Sequence, residues 1–259
     1  SRLATPVGMN GADWAAIRAQ LLLRMGEANT ARAVVQSVDS GNFTKKLEDA
    51  AMASFLATSD PVGLCPITAL TASDRPGWDW DLVRAICSAF SDESSSGMAQ
   101  LDRALRRGTA SKIDILLAQK FAGAAINARR AVKIEWDGVE KLTPWSIGMS
   151  FATGLEPPEA LRTSAGSNYS LIAVRAPMLP LASRAAAADM AAARGVLSAH
   201  GMIDLYSQIY TLRDADGGDS EADEWTRRSE TLRTAYAAKA VSDRFDAISA
   251  LWGDGSDPD

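Results

Sequence analysis

Apolar and polar residues recur along most of the chain with a period close to that of an α-helix. The pattern is clearest over residues 13–38, DWAAIRAQLLLRMGEANTARAVVQSV. Trp14, Ile17, Leu21 and Met25 fall at helical spacing with Leu22 beside them, while Arg18 and Arg24 lie off that stripe. Gly26 then breaks the run, and a glycine there can take the left-handed conformation that ends a helix. In the second run Ala31, Val34, Val35 and Val38 share one face, with Arg32 and Gln36 opposite. Two antiparallel helices are predicted, each covering the other's apolar stripe.

The rhythm continues. Thr44 is placed to cap a helix carrying Leu47, Ala51, Phe55 and Leu56, and Asp60-Pro61 opens the next. Trp80 begins an apolar run through Phe90, residues 91–97 are a polar break, and Met98, Leu101 and Leu105 mark the following helix. Ser111 caps KIDILLAQKFAGAAI, with Asp114 in its acidic first turn. Residues 1–126 thus read as three helix pairs and a seventh helix at solenoid spacing. The rhythm changes near Asn127, where residues 132–136 alternate as a linker or short helix start. Helices are expected near 138–153, 157–164 and 169–174, and as one alanine-rich rod over 181–194. His200-Gly201 reads as a turn or helix end, 212–223 as an acidic loop, and 240–252 as the last helix, before a disordered tail at 253–259. The expected fold class is all-α: antiparallel helix pairs stacked as an α-solenoid over 1–126, then a less regular helical bundle over 127–252.

The first hairpin resembles a tetratricopeptide-type repeat. Gly26 stands near the turn, Ala31 where the helices would cross, Val35 one turn later, and Leu22 on the first helix. The likeness covers about one repeat length and lacks that family's usual tyrosine and repeat-end proline. It implies stacked helix pairs; an ordinary hairpin in an irregular all-α domain fits the same residues. The array also resembles the non-catalytic superhelix of periplasmic lytic transglycosylases. The catalytic Glu-Ser pair of those enzymes is echoed here only by Glu93-Ser94, inside a polar run that would not raise the glutamate's pKa.

Composition narrows the possibilities. The chain has 259 residues, 47% hydrophobic and 23% charged, enough for a sizeable core. Its 27 basic and 32 acidic residues are interspersed, giving a net charge of −5 and no concentrated basic face for nucleic acid. No apolar run approaches the ~18–20 residues that span a bilayer. The opening Ser1-Arg2-Leu3-Ala4, without initiator methionine or signal peptide, reads as the start of a processed or excised piece. With one histidine and two cysteines, the chain lacks the four Cys or His ligands of a structural zinc site. His200 reads as a helix C-terminal cap rather than a triad member. No Gly-rich phosphate loop is present, and residues 214–219 depart from a calcium loop at Gly218 and Asp219. No catalytic residue, metal or cofactor is assigned.

Two sets of residues stand out. Cys65 and Cys87 fall on successive helices where their side chains would meet. A disulfide there closes a loop of about 22 residues, is worth about 3 kcal/mol, and suits an oxidising compartment; two buried free thiols fit equally. Arg129, Arg130, Lys133, Trp136, Lys141 and Trp145 mix cations with tryptophans where the rhythm changes, a candidate partner-binding surface. Tryptophans that simply fill a junction are the alternative. Trp78 and Trp80, at a helix start, read either as a sugar platform or as core. The expected function is a non-catalytic helical-repeat scaffold binding a protein or peptide partner. The alternative is an accessory superhelical region of an exported cell-wall-acting enzyme, with glycan as partner and the catalytic domain outside this chain. The location expected is periplasmic or exported, with cytoplasmic as the alternative.

Overall fold

A computed structural model of the chain describes residues 4–70, 75–91, 93–125, 131–215 and 224–252. Among them regular structure is entirely helical, as the periodicity predicts. The chain forms two compact units, Ser1–Leu179 and Pro180–Asp259. The change of rhythm near Asn127 lies inside the first.

The first unit holds two groups of three helices. In one, α1 (Gly11–Arg24), α2 (Ala28–Gln36) and α3 (Lys45–Ala57) pack mutually; α4 (Cys65–Leu70) then leads to α5 (Trp78–Ala89), α6 (Ser94–Arg107) and α7 (Lys112–Ala125), which form the other. α1 ends as expected. Gly26 has φ +81°, the Gly26 N–H donates to Leu23 O at 3.0 Å, and the Glu27 N–H to Leu22 O at 2.8 Å, the paired bonds of a Schellman stop. Its buried face differs from the expected one. Ala12, Ala15, Ala16 and Ala19 go inward, and Ile17, Leu21 and Met25 stay exposed. Small side chains let α1 approach α2 and α3 closely, and that contact turns the larger stripe outward.

Polar contacts close the first group. Arg32 of α2 reaches Asp60 at 2.5 Å and lies 4.6 Å from the centre of the Phe55 ring. Arg75, nearly buried, pairs with Glu48 at 3.2 Å and with Asp49, tying the approach to α5 back onto α3. Cys65 and Cys87 are joined by a disulfide linking the start of α4 to α5.

α8 (Pro144–Ala152) packs against both α3 and α7, so that it bridges the two groups. Every residue from Trp145 to Phe151 is buried. Proline at the first position and a Thr143–Ser146 capping box set its start, later than the predicted 138 because Gly138, at φ +77°, turns the chain first. Gly148 meets α3 backbone to backbone: a Cβ on it would lie 2.4 Å from Leu56 O. Gly97 does the same between α6 and α5, 2.5 Å from Ala85 O, which draws part of the expected polar break into a helix. α9 (Glu159–Ala165) and α10 (Ser167–Ala173) follow, with Tyr169 edge-on to Phe151 at 5.1 Å.

In the second unit the expected alanine rod is two short helices, α11 (Leu181–Ala186) and α12 (Ala188–Ala193). They part at Ala187, whose N–H donates to Arg184 O at 3.2 Å in a tighter turn. His200 also differs from expectation. It lies in the first turn of α13 (Ala199–Ala215), exposed, with Asp204 at 3.6 Å, so it cannot cap a helix C-terminus. α14 (Glu224–Ala237) and α15 (Val241–Trp252) complete the unit, whose small core centres on Ala185, Tyr206 and Ile209. Arg228 clamps Asp189 with two bonds of 2.6 and 2.9 Å. The predicted tail at 253–259 and most of the acidic loop lie outside the described residues.

Gly148→Ala should destabilise the protein by about 1–3 kcal/mol, since neither backbone can yield without opening the joint. Gly41→Ala, where a Cβ meets nothing within 4 Å, is the control. Urea denaturation of both variants checks this, and equal midpoints would contradict it.

Candidate functional site

The predicted binding residues divide once placed. Arg129 and Arg130 lie outside the described residues. Trp145 is a correction: it is 2% exposed, its Nε1–H donates to Asp114 O at 3.1 Å, and no partner can reach it. Trp80 is core as well, and Trp78 packs its ring 5.7 Å from that of Trp145. Trp136 is half-buried against the core, Lys133 is exposed with Glu135 at 3.5 Å, and Lys141 is exposed. Lys141 borders a cleft that brings together residues the sequence does not show to be neighbours.

The cleft, about 350 Å³, opens at the N-termini of α7 and α8. The segment running from Ala131 to Thr143 forms its outer wall. There Ile134, Trp136 and Val139 anchor inward, a turn at Asp137-Gly138 is closed by Val139 N–H to Trp136 O at 3.1 Å, and Glu135, Asp137, Glu140 and Lys141 face the opening. Lys112 Nζ crosses from α7 to Glu135 Oε2 at 2.9 Å. This bond, with Lys133 nearby, holds the Glu135 carboxyl below its usual range. The inner wall holds Ser111, Asp114, Thr143 and Ser146.

Asp114 is the unusual group. It is 3% exposed. Its Oδ2 accepts the Ser111 hydroxyl at 2.6 Å, and Oδ1 has no hydrogen-bond partner among the described residues. Burial raises its pKa, and the Ser111 bond offsets this only in part. Sequence marks Asp114 merely as a first-turn acid. Its backbone carbonyl accepts the indole N–H of Trp145, which lies 31 positions away and is brought there by α8.

Two other hollows are less polar. One of about 820 Å³ in the first unit is lined by Phe90, Phe121, Val132 and Met178. One of about 300 Å³ between α13 and α14 is lined by Tyr206, Tyr210, Tyr236 and Arg233. Among the described residues no group of three or more His, Cys, Asp or Glu side chains converges as a metal site would require, and no helix is long and apolar enough to cross a membrane. Comparison with protein-family models, curated proteins and solved structures gives no match.

Asp114 sets a pH dependence. Its folded pKa lies above 3.8, so between that value and the raised one the folded state binds more protons than the unfolded chain, and stability falls as pH rises through the window. Asp114→Asn removes that cost. Its stability relative to wild type should improve as pH goes from about 4 to about 7, measured by denaturant titration at each pH; a gap that stays constant or shrinks would contradict it.

Proposed function

We propose that the chain is a non-catalytic helical scaffold whose surface binds a segment of a protein partner. The observation that carries this reading is the outer face of α1. Ile17, Leu21 and Met25, at 42, 58 and 56% exposure, form a continuous apolar stripe two turns long on a helix already seated through its alanines. Such a stripe suits the apolar face of an amphipathic partner helix. The hairpins α1–α2 and α5–α6 are each of the kind from which a stacked, tetratricopeptide-like array would be built. In this reading α1 is the principal anchor, and Lys133, Trp136 and Lys141 are a secondary contact surface.

The Cys65–Cys87 bond favours an exported, oxidising location, and with it the second reading, an accessory region of an exported cell-wall-acting enzyme. Alkylation of native material without reductant should label neither cysteine. Full labelling of both would remove that support.

Ile17→Ser, Leu21→Ser and Met25→Ser, combined, should keep wild-type helicity by circular dichroism, because these side chains are outside the core. The same variant should lose at least about tenfold of any partner recovered by wild type from native extract, the worth of one or two buried apolar anchors. Undiminished recovery of that partner would overturn the proposal.

A further inference from the structure

The cleft at the N-termini of α7 and α8 makes conflicting demands on a charged ligand. α7 and α8 are 14 and 9 residues long. The first N–H groups of α7, on Lys112 and Ile113, have no acceptor within the helix and favour an electron-rich atom, while α8 starts with proline and has its Ser146 N–H taken by Thr143 Oγ1. Lys141 adds to that preference, while Lys112 and Glu135 are already paired with each other. Opposing it, Asp114, Asp137 and Glu140 need donors. An inorganic anion meets these carboxyl groups, and a cation meets the start of α7 and the Lys141 ammonium. A hydroxyl both donates and accepts, so a neutral ligand bearing several can satisfy both walls at once.

Asp114 adds a second, independent indication. A buried carboxyl oxygen without a partner costs about 1–3 kcal/mol or more, so such groups are rare unless something else satisfies them. At the third position of α7 its side chain leans back toward the helix start, over Ser111, which lines the cleft. The Trp145 indole holds the Asp114 carbonyl on the opposite, interior side. A volume of about 350 Å³ is in the range of small-molecule sites. We propose that this cleft binds a small, neutral, polyhydroxylated molecule of the sugar or cyclic-polyol class, with the Asp114 carboxyl at its base. This stands apart from the partner-binding reading, which concerns α1.

The test is an amide NMR titration of the full chain with glucose, N-acetylglucosamine and myo-inositol, with phosphate and spermidine as charged comparisons. At least one neutral ligand should give saturable shifts at Lys112, Ile113, Asp137 and Gly138 that exceed those from either ion. Asp114→Asn should weaken this binding about tenfold, the worth of one hydrogen bond to a charged group. If that variant does not fold, Asp137→Asn with Glu140→Gln, at exposed positions, should weaken it severalfold. The proposal is overturned if no neutral ligand gives saturable shifts in the cleft, if only phosphate or spermidine does, or if the folded variant binds as wild type does.

Discussion

The seating of α8 in the first unit turns on one backbone contact. Gly148 lets α8 lie directly on the Leu56 carbonyl of α3, while the other sides of α8 are buried by α7 and its surroundings. A helix buried all round has no solvent face to set its orientation. Its position is fixed by fit alone: a glycine where a Cβ would collide, a proline and capping box that start it, and an indole bonded to the next helix. Without α8 the two three-helix groups would keep their internal contacts, the Cys65–Cys87 disulfide and the Arg75 pairs, and lose the helix packed between α3 and α7.

The same joint creates the cleft. Docking of α8 bonds the Trp145 indole to the Asp114 carbonyl and brings two helix starts to one opening. Packing and site chemistry are therefore two aspects of one arrangement. The cost of burying Asp114 is borne by the surrounding core.

Much of the fold was legible because independent local signals agreed. Thr44 as cap, the Leu47–Ala51–Phe55 stripe and a following turn all mark α3, which starts directly after Thr44 as expected. Gly26 has the backbone required of it. The choice of buried face on α1 was not legible. Periodicity points to Ile17, Leu21 and Met25, but close approach to α2 and α3 favours alanine, and that preference appears only with the neighbours in place. The break at Ala187 and the placement of His200 at a helix start likewise depend on tertiary context, since alanine and histidine carry weak local instructions. For the site, Ser111 and Asp114 were visible as a cap and an acidic first turn. The burial of Asp114 was not, because it arises only in the folded packing. Trp145 shows the converse: the composition suited a binding hot spot, and the structure uses the ring as core.

The role of α8 can be measured by native-state hydrogen exchange. If this helix joins the two groups, the Met149, Ser150 and Phe151 amides should exchange only through unfolding of the whole first unit, with an opening free energy equal to that from denaturant titration. Exchange of those amides at a markedly lower free energy, while α3 and α7 stay protected, would show that α8 is an appendage and would contradict the account.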